Sequence, residues 1–384
     1  MTRALTALAT LAALLGLAGA ASAGHLILSA NDGKYPNIEG VYKVADPMPA
    51  DTLTILDARS FPPRAIAEIE TNTSVIGPPL GVALTPDERL ALVSCPVKAD
   101  PNDKTKLVSH DELQVVDLEA SPPRVIARLA MPSRPCGLSV NRAGTLAVVA
   151  HPDDGGVSLL TISGKTVALV STVKVGDAKS LVSHAAVSPD GKWVLATKRG
   201  EGKVAVLTLD GAKLEYAKQD ITVGFGPYPL DISRDGRLAA VGNQGLGVDV
   251  DTVTLIDMTV RPIRAVEYIT VGVGAEGLAF SPDGKWLAVA LQNGTNRPKT
   301  HPMRAEQGRL LLYSLAGTKA TKVAEAATGR NTQGVTFTPD GKYLYVQNYV
   351  EQELQVFRVT GAGLEDTGTR IKVKGHPASI RVAP

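Results

Sequence analysis

The chain has 384 residues, with 40 Lys and Arg against 38 Asp and Glu, two Cys and 44% hydrophobic residues. A net charge of +2 argues against nucleic-acid binding by bulk charge, and two cysteines are too few for a disulfide scaffold or a four-cysteine zinc site. The apolar content is ample for a core, and 37 Gly plus 25 Pro imply many turns rather than disorder.

Residues 1–23 carry Arg3, no acidic residue, an Ala/Leu-rich stretch and the small-x-small ending Ala21-Ser22-Ala23. That pattern reads as a signal peptide. Residues 24–384 then form a single domain, and no later stretch reaches the ~20 apolar residues of a membrane span. The expectation is a periplasmic or secreted protein with no membrane span once the leader is removed.

Residues 25–30, 52–57 and 64–70 read as three strands. Six segments with one shared pattern follow, at 80–94, 136–150, 184–197, 229–242, 277–290 and 334–347. Each is an alternating apolar run, a tight turn and an aliphatic run. The turn position falls at Asp87, Ala143, Asp190, Asp235, Asp283 and Asp340, spaced 45 to 57 residues apart. In the Pro-Asp-Gly turns Pro presets φ, Asp bonds back to the backbone and Gly accepts positive φ. Between turns lie two more strand-like runs, such as 113–118 and 125–129. Four antiparallel strands per unit, without helical periodicity, describe a β-propeller blade. After the sixth unit only residues 376–382 remain. The three N-terminal strands complete that unit, giving a seven-bladed, all-β propeller whose last blade is closed by both termini. A second repeat places Arg seven residues after Asp at Asp57/Arg64, Asp117/Arg124 and Asp257/Arg264, where an Asp–Arg pair is expected across the outer turn.

Thr338-Pro-Asp-Gly-Lys-Tyr-Leu-Tyr-Val-Gln-Asn348 resembles the core of the YVTN β-propeller repeat, and the segments at 188–196 and 281–289 are looser copies. Gly375-His-Pro-Ala-Ser-Ile380 is similar to that repeat's opening. The resemblance spans the mature chain. It implies kinship with exported propellers of no assigned reaction, lactonase-type propellers, and heavy subunits of periplasmic quinone-cofactor amine dehydrogenases. No Trp-Asp strand ending is present, which disfavours WD40.

In such a ring the loops before first strands and after second strands share one face, around the channel mouth. Before first strands stand Arg134, His184, Tyr228, Glu276, Arg330 and His376; after second strands stand Asn31, Asp32, His151, Lys198, Arg199, Asn243, Gln292 and Asn348. Their radial convergence makes them the candidate binding residues. Cys95 and Cys136 belong to the same face in neighbouring blades and are expected to form a disulfide. His151, Asp153 and Asp154 are a weak candidate metal site; no cofactor is expected, with a divalent cation left open. Insertions at 31–51, 96–110 and 293–307 extend over the mouth, and the last two are basic, suiting a small anionic ligand or a protein partner. Few aromatics (4%) make nucleic acid a poor fit. The leading expectation is an exported binding or interaction module. The alternatives are a lactonase-like hydrolase, in which a rim His or carboxylate activates water, and the propeller subunit of a periplasmic quinone-cofactor dehydrogenase complex.

Overall fold

The computed structural model describes residues 24–245, 249–361 and 363–384. The expected leader, residues 1–23, lies outside them. Among the described residues, seven four-stranded antiparallel sheets and one two-stranded hairpin make up the β structure. Blades 1 to 6 occupy residues 82–130, 138–174, 182–222, 227–272, 275–328 and 332–372. Blade 7 takes its innermost strand from the C-terminus, His376–Val382, and its other three, Leu26–Asp32, Asp51–Asp57 and Arg64–Thr71, from the N-terminus. The two ends pair from Ile27 opposite Val382 to Asp32 opposite His376, so the predicted closure is present. No helix among the described residues is long and apolar enough to cross a membrane.

One turn chemistry builds most of the blades. Ser188, Ser233, Ser281 and Thr338 each donate a hydroxyl to the Asp two residues on, at 2.5 to 2.7 Å. The same hydroxyl oxygen accepts the amide that starts the next strand, as from Trp193 and Trp286. Gly191, Gly236, Gly284 and Gly341 hold φ between 68° and 72°, a conformation that strains any residue with a Cβ. Glu88 is the exception at φ 56°. Its carboxylate accepts the amides of His25 and Leu26 at 2.7 Å, holding the start of the closing blade.

Second strands are buried almost end to end, while outer strands such as Arg124–Ala130 alternate. The core is therefore a set of layers between blades. One layer stacks Leu92 and Leu113 of blade 1 on Leu138 and Leu160 of blade 2; another seals the ring by stacking Ile27 and Leu56 on Tyr345 and Val356. Burial of such side chains stabilises by about 1.5–3 kcal/mol each. The expected Asp–Arg pairs do not form. Asp57, Asp117 and Asp257 lie opposite Arg64, Arg124 and Arg264 in register, but each Asp turns to accept the backbone amide two residues on. Asp57 and Asp117 are paired instead with Arg59 and Lys165.

Candidate functional site

The loops at the channel mouth enclose a cavity of about 680 Å³, within the usual range for a small-molecule site. Three blades contribute a connected polar chain to its wall. Arg199, just past the second strand of blade 3, lies 4.6 Å over the Tyr228 ring and donates to Gln244 Oε1 at 3.2 Å. Gln244, from blade 4, in turn donates its amide to Glu276 Oε2 of blade 5. The amide orientation follows from its neighbours, since a guanidinium needs an acceptor and a carboxylate needs a donor. Glu276 is buried, and burial pushes its carboxyl up to about 7, against the pull of Arg199 and Gln244. Asp251 also lines the cavity. Burial lifts its carboxyl to about 6 although the Gly274 amide donates to Oδ2 at 2.6 Å. Asp251 Oδ1 and Gln333 Oε1 are buried acceptors of the cavity wall with no protein donor.

Two of the three insertions roof the opposite side. The 31–51 segment forms a short hairpin, Asn37–Ile38 with Val41–Tyr42, whose turn at Gly40 lies directly against the backbone of Arg297. Glu39 pairs with Lys299 at 2.7 Å, tying the two insertions together. At the base of the hairpin Lys34 is buried against Asp51 at 2.5 Å. This anchoring carries Tyr42 into the cavity wall, stacked on Tyr35 at 5.3 Å, with its hydroxyl accepting from Asn331 Nδ2 at 2.8 Å. Asn331 also accepts from Gln292 and Gln333, so blades 5, 6 and 7 share one amide cluster.

Of the residues predicted to line the mouth, Arg199, Tyr228, Glu276 and Gln292 do so. The others hold the blades. Asn31, Asn243 and Asn348 each use Nδ2 to reach two side chains on their own third strand: Thr52 and Thr54, Thr252 and Thr254, Glu353 and Gln355. Lys198 pairs with Glu201 and Asp220. Asp32 takes the amides of Lys34 and Val75. Arg134 pairs with Asp153, Arg330 with Glu351, and His376 stacks on Tyr349 at 4.7 Å. His184 is fully buried where a Cβ on Gly137 would strike its ring, and burial holds it neutral.

Two further expectations are corrected. His151 spends its ring nitrogens on the Ser133 carbonyl and the Ser158 hydroxyl, Asp153 turns to Arg134 and Asp154 to Lys174. Those three side chains do not converge, and among the described residues no three His, Cys, Asp or Glu gather to hold a metal ion. The Cys95–Cys136 bridge is absent; both are buried free thiols. Cys95 Sγ donates to the Asn72 carbonyl at 2.8 Å, whereas Cys136 Sγ sits where a Cβ on Gly77 would be. Burial pushes both thiols up, Cys136 to about 11, which makes them weak nucleophiles. Sequence reasoning missed Gln244, Asp251 and Gln333, and reached Tyr35, Tyr42 and Arg297 only through the ranges of the insertions 31–51 and 293–307. Gln244 directly follows the predicted Asn243, so widening each mouth position by one residue finds it.

The lactonase, 7-bladed beta-propeller family model matches residues 171–273, from the outer strand of blade 2 through blades 3 and 4. A curated relative, hydrazine synthase subunit beta of Kuenenia stuttgartiensis, is 24% identical over 151 residues, covering 37% of this chain and 39% of that subunit. The chain thus spans about two fifths of the length of that relative. Among solved structures, a candidate 6-phosphogluconolactonase from Bacteroides uniformis superposes with TM-score 0.71 at 17% identity, over 94% of this chain and all of that one. The periplasmic gluconolactonase of Pseudomonas aeruginosa gives TM-score 0.67 at 19% identity over 94% and 99%. Kuenenia stuttgartiensis hydrazine synthase gives 0.61 at 20% over 81% and 91%. At such identities these likenesses speak for the fold alone.

Proposed function

We propose that the protein is an exported propeller that binds a small oxygen-rich anion in the mouth cavity, with sugar acids and their lactones as the chemical class. The observation that carries this reading is the Arg199–Gln244–Glu276 chain, assembled from three blades on the wall of one cavity. Arg199 supplies positive charge on a rigid aromatic bed, while Asp251 and Gln333 offer acceptors for ligand hydroxyls. The gluconolactonase-like neighbours support the class, and the leader-like segment at 1–23 supports export. The resemblance to the YVTN repeat belongs to this reading too. The match to a subunit of hydrazine synthase supports a protein partner on the insert-bearing face.

A second reading, lactone hydrolysis, is favoured by Glu276. A carboxyl ionising near 7 is matched to general-base work at neutral pH. In this scheme the Glu276 carboxylate takes a proton from water, whose oxygen adds to the lactone carbonyl. Arg199 faces the oxyanion, the ring C–O bond breaks, and the ring oxygen leaves as an alcohol with the proton returned, giving a hydroxy acid. Titration with D-gluconate tests the binding reading: saturable binding weakened about tenfold or more by Arg199→Ala is expected, and no binding ends it. Hydrolysis of glucono-1,5-lactone, followed by acid release, tests the second; turnover lost in Glu276→Gln is its signature, and binding without turnover removes it.

A further inference from the structure

The opposite end of the channel holds a second cavity, about 140 Å³, walled by the ends of first strands and by the turns that follow them. Its wall is mostly apolar, with Leu138, Ile232, Phe280 and Phe337. Among the lining side chains three guanidiniums, from Arg142, Arg234 and Arg381, stand against one carboxylate, Asp231; the last residue of the chain, Pro384, also lines the cavity. That carboxylate is already engaged, by Arg381 at 3.5 Å and by the Phe280 amide at 3.0 Å. Arg142 and Arg234 make only backbone contacts: Arg142 donates to the Arg234 carbonyl and Arg234 to the Ala383 carbonyl, each at 3.2 Å. Among the described residues neither forms an ion pair. Burial, with Arg142 alongside, lowers the Arg234 guanidinium below its ordinary value.

The sequence says the same in another way. Both arginines stand at the turn position that is proline in the other hairpins, namely Pro86, Pro189, Pro282 and Pro339. The turns do not require them, since Asn141 and Ser233 hold the local hydrogen bonds and Gly144 and Gly236 the positive φ. The repeat is broken in blades 2 and 4, and both replacements border this one cavity.

We propose that the cavity is a second ligand site, for a small carboxylate with an apolar body, the carboxylate meeting Arg142 and Arg234 and the body resting against Phe280 and Phe337. Arg234 is half-buried and Arg142 exposed at the edge of an apolar wall, neither with an ion-pair partner among the described residues, and an anion supplies that partner while its body displaces water from the wall. A ligand lacking either half loses one of the two gains. The site is independent of the mouth reading, being built from the other face of the ring.

Equilibrium binding of benzoate to the full chain, with benzamide as its neutral analogue, tests the assignment. An Arg199→Gln background removes any contribution from the mouth. Benzoate is expected to bind in that background, and benzamide about tenfold more weakly. The Arg142→Gln/Arg234→Gln double variant is expected to lose about tenfold or more in benzoate affinity. An Arg142→Pro/Arg234→Pro chain, which restores the repeat, should show the same loss and guards against a fold defect in the Gln pair. No benzoate binding overturns the proposal. So do equal affinity for benzamide, or benzoate binding that survives both double variants.

Discussion

The two faces of the ring are built on different principles. At the turn face, blades 3 to 6 repeat one device: a hydroxyl donated to an Asp two residues on, a Gly at positive φ, and the next strand's amide bonded back to the hydroxyl. At the mouth, blades 3, 4 and 5 place Arg199, Gln244 and Glu276 in series, and blades 5, 6 and 7 bring Gln292, Asn331 and Tyr42 together. Repetition marks positions that serve the chain's own geometry. Divergence marks positions that the chain's own geometry does not use, which leaves them free for the proposed ligand; the rim residues Asn31, Asn243 and Asn348, which hold their own blades, are not among them. Arg142 and Arg234 are where divergence crosses to the turn face.

Ring closure should dominate every local effect. Deleting residues 374–384 removes the innermost strand of blade 7 and uncovers Ile27 and Tyr345, so calorimetry should show no cooperative transition near that of the full chain. An unchanged melting temperature would break the closure scheme. The next effect is electrostatic. Glu276 ionises near 7 in the folded chain against an ordinary value of 4.5, so folding favours the protonated group. Its contribution is full below about 4.5 and is lost as pH rises through 7, a swing of at most about 3 kcal/mol. Denaturant unfolding should therefore find Glu276→Gln gaining stability relative to wild type between pH 5 and pH 8; a difference independent of pH refutes this account of burial.

Smaller effects separate the faces. Ser188→Ala, Ser233→Ala and Ser281→Ala should each cost about 1 kcal/mol, alike because the device is alike. Gln244→Ala, by contrast, should move stability less than it moves gluconate affinity. Unequal costs among the three serines, or a Gln244 effect confined to stability, would erase the distinction between faces.

The legible part of the molecule follows the same division. The Pro-Asp-Gly turns could be read because their bonds join residues two to five apart, and closure could be read by counting strands. Asn31 looked like a rim ligand because its partners, Thr52 and Thr54, are found only once the sheet is formed. The disulfide reading failed for a related reason. Sharing a face does not bring two side chains together, and Cys95 and Cys136 point at Asn72 and Gly77, separate places in one linker. Tyr42 is in the wall only because a hairpin inserted in blade 7 rests on an insertion of blade 5, a meeting with no local signature.

A crystal structure of the protein with D-gluconate tests the central claim most directly. The account predicts one gluconate at the mouth, its carboxylate on Arg199 and its hydroxyls donating to Asp251 or Gln333. Gluconate bound clear of Arg199, or a mouth cavity that stays free of it at saturating concentration, would contradict the account.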